Sequence, residues 1–559
     1  MKKIIIGFFG VSLFLASCAT IQTKIGQVAL KFMTKKEKDF TQMAAIGMYQ
    51  TNMYSPETGI TLGTNADWTE GQNAVGVHLI KPGGAIGLID LEGTVTVDGQ
   101  PATSYGGGVY MALFDGDDTS TKTVRLENVD GVATEFDISP APSISIKSIN
   151  GQTDEVTLDL SEDFEIELDY NAAARGKRVR IALITKAVGV KGFAWFQSTN
   201  IQDKITVSAD AFRHKHITGG GPTGKDVTKW ATGENHLQVS VIEDDRSDAN
   251  QPFTYFKRTS TSFDTKPVML SGSTEGRTSI NIKGDVEADN GKFKYGATSS
   301  NAWYARPLNT NIGKIGIASL SVEGFLYDQE TSTSESDYGS YKVITTTTTT
   351  WQFPQLDDVY WNQFLENIYG DMVNMLEDEY GANVVDVDKI TSNPIYDNFY
   401  VPGDENTVKY ISKNLRDTKR LFAASLGEML AERKTSLIAD EDAMASLLRD
   451  MDMDALMNIS IDYRVAGDGD DKIVLLPLVS YQVIGQTQAF DGMANTWLQG
   501  TIQGPGVSFS RSEFSDLNAL NRIGQKDMIV DLIRRSIKDL TSKQAEFGYD
   551  NVWNTALTN

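Results

Sequence analysis

Cysteine is almost missing from this chain: one residue in 559, Cys18. An intramolecular disulfide is therefore excluded, and so is a thiolate-rich zinc site. Histidine is scarce too, with His78, His214, His216 and His236. His214 and His216 offer two imidazoles from one side of a strand, but no HExxH run accompanies them, so no metal centre is expected. Basic residues number 51 against 74 acids, a formal charge of −23. A phosphate backbone needs a cationic footprint, so nucleic acid is not an expected partner. Beyond Ala16 no apolar run reaches the length that spans a bilayer as a helix.

What is present begins at the amino terminus. Lys2 and Lys3 precede an apolar run, Ile4 to Ala16, too short for a permanent span. The run closes in Leu15-Ala16-Ser17-Cys18. This tetrapeptide resembles the lipobox of bacterial lipoproteins: Leu15, the small residues Ala16 and Ser17, then the cysteine that becomes the new first residue. The resemblance implies a signal peptide over 1–17. It also implies a diacylglycerol and an acyl chain such as palmitate on Cys18, whose thiolate is the nucleophile that takes them up. Two or more chains hold a protein stably at a membrane. Ala19 stands next, not an Asp of the kind associated with inner-membrane retention. The resemblance thus implies outer-membrane anchoring with the body facing the periplasm; exposure at the cell surface stays open. No other cofactor is expected.

Divided by composition and patterning, the body is multidomain: amino-terminal all-β sandwich modules followed by a carboxyl-terminal α/β (α+β) domain. The boundaries read as a tether or amino-terminal segment over 18–70, a β module over 71–141, a β-sandwich over 142–245, a β-rich connector over 246–311 and the α/β domain over 312–559. Phe164, Ile166, Leu168 and Tyr170 alternate with Glu165, Glu167 and Asp169, which is the mark of a half-buried strand. Asp98-Gly99 is a hairpin turn signal. After a buried-type strand near 314–322 comes Thr345 to Thr350, whose β-branched residues predict an exposed strand or hairpin arm. Trp361, Phe364, Leu365, Ile368, Met372, Met375 and Leu376 fall on one helical face that stops at Gly381. A second helix is expected over Thr407 to Ala431. Paired strands follow over 452–465 and 472–484, then a strand over 496–502 and a last helix burying Ile529, Leu532, Ile533, Ile537 and Leu540.

The order of elements after residue 312 resembles the periplasmic α/β domain shared by the curli-secretion lipoprotein and the amino-terminal domain of the Tol-system β-propeller protein. In the curli family the insertion after the first strand contributes to a membrane barrel. Thr345 to Thr350 lacks the apolar face that a barrel requires, so no pore is expected here.

Catalytic signatures do not assemble. Gly219 to Lys225 satisfies GxxxxGK, but Asp226 stands where a P-loop needs Ser or Thr, so a flexible loop is expected. Asp115-Gly116-Asp117-Asp118 and Asp468-Gly469-Asp470-Asp471 read as solvated turns without calcium-loop spacing. Gly272-Ser273-Thr274-Glu275-Gly276 has the outline of a nucleophile elbow with Thr274 in the wrong place. Trp195, Trp230, Trp303, Trp351 and Trp361 would stack on sugars if exposed, but Trp361 on its apolar helical stripe, and Trp195 with Phe196 in a strand, read as core. The expected function is a lipid-anchored cell-envelope protein with a non-catalytic structural or assembly role, made through contacts with other envelope proteins. The alternatives are a glycan-binding lipoprotein of a nutrient-uptake assembly and an envelope hydrolase.

Overall fold

Period-two alternation and β-branched residues place most of this chain in strands, with the longer helices toward the carboxyl end. The computed structural model describes residues 35–51, 71–80, 89–187, 190–213, 235–245, 251–271, 279–302, 304–325, 327–337, 342–352, 355–397, 399, 410–421, 443–468, 472–486 and 494–557.

A nine-stranded sheet organises the amino-terminal half. Its strands run in the order Val190–Asn200, Arg178–Ala187, Asn235–Asp245, Tyr255–Ser271, Ala44–Thr51, Asn73–Ile80, Val109–Phe114 and Thr103–Gly106, with Val156–Asp159 parallel to Tyr255–Ser271. Two smaller sheets pack on it. Val95, Val97, Val124, Leu126 and Phe136 of a four-stranded sheet meet Tyr49, Val75, Val77 and Leu79. Ile146, Ile166, Leu168 and Val207 of a three-stranded sheet meet Val179, Ile181, Val239 and Val241. Asp98 and Gly99 both take positive φ, 48° and 78°, the left-handed pair that matches strand twist in a tight hairpin. Phe164, Ile166 and Leu168 are buried, as their alternation implied.

The sheets cross the boundaries drawn from composition. Ala44–Thr51, assigned above to the tether, lies in the middle of the nine-stranded sheet, between Tyr255–Ser271 and Asn73–Ile80. Both faces of that strand are covered: Ala44, Ala45, Met48 and Tyr49 are all buried. A strand buried on both sides shows no alternation, so period two could not mark it. The connector is likewise split. Tyr255–Ser271 joins the amino-terminal sheet, and the two strands after it join the carboxyl-terminal one.

That second nine-stranded sheet contains β1 (Ser279–Ala288), β2 (Gly291–Ser300), β3 (Lys314–Phe325), β6 (Asn383–Val385), β7 (Tyr410–Asn414), β8 (Ala455–Gly467), β9 (Lys472–Gln486), β10 (Ala494–Gln503) and β11 (Val507–Ser510). The order is β1-β2-β10-β9-β8-β3-β6, with β7 also beside β3 and β11 beside β9. Between β3 and the first long helix the chain makes a separate two-stranded ribbon, β4 (Tyr327–Asp337) and β5 (Lys342–Gln352).

Helix α1 (Asp358–Tyr380) starts where the Asp357 carboxylate accepts from the Val359 N–H and stops at Gly381, whose φ of 64° suits a residue without Cβ. Its stripe of Trp361, Phe364, Leu365, Ile368, Met372 and Met375 packs on one face of the sheet. Helices α3 (Leu517–Ile523) and α4 (Lys526–Glu546) share that face, where Ile529, Leu532, Ile533 and Ile537 are buried. Helix α2 (Ala443–Asp450) lies on the opposite face, with Leu447 and Leu448 against Ala318 and Leu456. The expected helix from Thr407 is corrected over its described part: residues 410–414 are β7, antiparallel to β3. Residues 407–409 and 422–431 of that expectation lie outside the described residues. Tyr410-Ile411-Ser412 is β-favouring, and pairing with an open edge overrides a weak helical pattern.

The last helix, α5 (Tyr549–Leu557), joins the two halves. Its Trp553 indole N–H donates to the carbonyls of Ala302, at 2.7 Å, and Ala305, at 3.1 Å. Asn551 donates to the Asp210 carboxylate at 2.5 Å. One hydrophobic core therefore runs from Ile144 to Trp553.

Candidate functional site

Away from the patch that α2 covers, the face of the carboxyl-terminal sheet opposite α1 and α4 is polar. Alternation along β9 explains why: Val479, Tyr481 and Val483 point into the core, so Ser480 and Gln482 point out. Register is pinned from the inside. A Cβ on Gly500 would lie 2.1 Å from the Tyr481 ring, so only glycine fits opposite that tyrosine. The buried Tyr481 hydroxyl is hydrogen-bonded with Ser536, and burial raises its pKa. Pairing Tyr481 with Gly500 sets Ser480 opposite Thr501 and Gln482 opposite Gln499.

The same logic extends across six strands and yields two neighbouring rows. One row reads Asn281, Thr298, Gln499, Gln482, Asn458 and Ser319. The other reads Lys283, Gly296, Thr501, Ser480, Ser460 and Ser321. Every member is polar or glycine. The β1, β2, β10 and β9 part of both rows is open and forms a trough of about 380 Å³. Gly296 puts bare backbone between Lys283 and Thr501, which hollows the floor. Among the described residues no carboxylate lines the trough, and Lys283 makes no ion pair. The β8 and β3 end of the rows is covered: Asn458, Ser319 and Ser321 have no exposed surface, and Ser460 is buried. Ser319 accepts from the Leu421 N–H at 3.1 Å. The Asn458 carboxamide and the Ser321 hydroxyl have no hydrogen-bond partner among the described residues. One row further along, Glu323 and Asp462 are cross-strand neighbours, and both approach Arg420, at 2.7 and 3.6 Å.

The second unusual surface is the β4–β5 arm. Its eleven antiparallel pairs run from Tyr327↔Gln352 to Asp337↔Lys342 and join no other sheet among the described residues. Eleven residues of strand reach about 36 Å. Residues 331–337 and 344–350 are all exposed. Thr345, Thr346, Thr347 and Thr348 face Ser334, Thr333, Ser332 and Thr331 across the ladder. Lys342 and Glu335 form an ion pair at 2.6 Å near the tip. The threonine run is thus an arm, as its composition implied, with polar residues on both faces.

Several residues singled out in the sequence lie outside the described residues: Leu15, Ala16, Ser17 and Cys18, then His214, His216, Gly219 to Lys225, Gly272 to Gly276, Gly469 to Asp471, Trp230 and Trp303. His78 and His236 sit on strands separated by two others, so they do not converge. His78 is buried between cross-strand Ile46 and Val109, and loss of hydration pushes its pKa down to about 4. Asp118 accepts from Lys122 at 2.5 Å and from the Ser120 hydroxyl and N–H, which holds its pKa down near 2. Within the Asp115–Asp118 run, the Asp118 carboxylate therefore closes a turn with a lysine. No group of three or more metal-ligating side chains occurs among the described residues. Trp361, Trp497 and Trp553 are core.

The trough was not singled out from sequence. Its members are alternate residues of four strands, and each strand alone reads as an ordinary wet face. No family model matches this chain, and no curated protein does.

Proposed function

We propose that this chain is a lipid-anchored component of a bacterial cell envelope that acts without catalysis, by contact with other envelope proteins through the β4–β5 arm. The arm is the observation that carries this reading. A two-stranded hairpin is marginal alone in water, and neither outer edge of this one pairs with another strand among the described residues. From Val343 to Trp351 the strand carries no charge and no proline, the two usual guards of a free edge. Such an edge accepts a partner strand. Neither face is apolar enough for acyl chains, so the partner is protein rather than lipid.

The anchor in this reading is the diacylglycerol and acyl chain on Cys18, held at the outer membrane with the body in the periplasm. No described helix is long and apolar enough to cross a membrane, which is compatible with a lipid tether. On the resemblance read from the sequence after residue 312, we assign the carboxyl-terminal part to the class of the curli-secretion and Tol-system α/β domain. Affinity capture from cross-linked membranes tests the function. The intact chain should recover a defined partner, and a chain with residues 328–351 replaced by a tight turn should lose it. The same partner from both would remove the arm from the account. No partner from either would overturn the reading.

A further inference from the structure

We infer that the trough on the outer face of β1, β2, β10 and β9 is a binding site for a carboxylated carbohydrate. Its size, about 380 Å³, falls within the range of small-ligand sites. Its outward side chains differ from those of the usual site, being amides, hydroxyls and one ammonium in place of aliphatic and aromatic groups, and the apolar surface it exposes, though more than half of the lining, is small. Burial of apolar surface cannot supply the affinity, so the ligand must itself hydrogen-bond along its length.

Two polymers do that, peptides and sugars, and the sheet decides between them. A peptide binds a sheet by adding a strand at an edge. The trough instead crosses β2, β10 and β9, whose ladders are already filled on both sides by neighbours. Only side chains are left to bind. Asn281, Gln482 and Gln499 each offer both donors and an acceptor, and Thr298, Thr501 and Ser480 offer hydroxyls that do both. Sugar hydroxyls, also donor and acceptor at once, are the complementary set. Bare backbone at Gly296 lets a ring approach the floor.

Charge completes the class. In a chain of −23 the trough holds no acid and one lysine, Lys283, without an ion pair among the described residues. That ammonium suits a single carboxylate, as in a uronic acid, a sialic acid or a lactyl-bearing amino sugar. None of the buried tryptophans Trp361, Trp497 and Trp553 offers a stacking platform here, so binding should be weak, with Kd near the millimolar end.

An array of carboxylated oligosaccharides, followed by calorimetry on the best hit and on its methyl ester, tests this. The full chain should bind the free acid, the ester should bind about tenfold more weakly, and Lys283→Gln should remove the difference between them. Gln499→Ala should weaken both forms. Both substitutions are at exposed positions, and unchanged circular dichroism and melting will establish that each variant is folded. An array with no carboxylated hit overturns the inference. So does equal binding of acid and ester, or binding that Lys283→Gln and Gln499→Ala leave intact. The site is separate from the arm, so its failure would leave the proposed envelope role standing.

Discussion

A guanidinium sealed among aromatic rings must have its hydrogen bonds filled, and Arg306 does. Its groups reach Asp454 at 2.8 Å, the Thr310 carbonyl at 2.9 Å, the Asn311 carbonyl at 3.1 Å and the Thr310 hydroxyl at 3.2 Å. Trp497 and Trp553 lie 5.9 and 5.6 Å from it. Arg306→Ala should cost about 3 kcal/mol in urea unfolding, the low end for a broken buried pair, because Asp454 also accepts from the N–H groups of Gly313 and Lys314. Arg306→Lys should cost less than Ala but more than nothing, since an ammonium cannot reproduce the planar fork. Equal stability of all three would contradict this placement.

His78 makes a pH prediction at the same scale. Its folded pKa, about 4, lies below the ordinary value of 6.5, so the fold favours the neutral ring. The stability from this group is complete above 6.5 and is lost as pH falls from there toward 4. The loss is on the order of 3 kcal/mol. Unfolding free energy should fall more steeply over that window in the native chain than in His78→Gln; parallel slopes would count against a buried neutral imidazole.

Among elements, α1 is the strongest support of the carboxyl-terminal sheet. Trp361 touches Phe364, Tyr463 and Phe514, so Trp361→Ala should cost about 3–5 kcal/mol, measured by denaturant titration. The arm should behave oppositely. Its residues 331–337 and 344–350 are exposed, so replacing 328–351 with a tight turn should leave stability within about 0.5 kcal/mol while removing partner capture. A large loss of stability would show that the arm is a structural strut.

These two elements were legible in the sequence because each carries its own period or composition. The stripe from Trp361 to Leu376 and the stop at Gly381 need no tertiary knowledge, and neither does a β-branched run of threonines. Sheet membership was not legible. Ala44–Thr51 beside Tyr255–Ser271, and Gly291–Ser300 beside Ala494–Gln503, are pairings across about two hundred residues, and nothing local encodes them. The trough was hidden for the same reason, since its rows exist only once strands distant in sequence lie side by side. Residues 410–414 show the converse error, where a plausible local helix yields to an open sheet edge.

For the whole molecule, the core running from Ile144 to Trp553 makes the two halves one folding unit, while the proposed anchor and arm leave that unit at separate places. Cys18→Ala should move the protein from membranes to the soluble fraction, and retention would argue against the lipid. The scarcity of cysteine permits a sharper test, because a Cys18 carrying lipid as a thioether leaves the chain without a free thiol. Thr333→Cys or Thr347→Cys on the arm would then be the only site for a maleimide. The native chain should not label, either variant should label slowly in intact envelopes, and the same variants should label fast after purification. Labelling of the native chain, or equal rates for the variants in envelopes and in purified form, would contradict a lipid-tethered body that works through its arm.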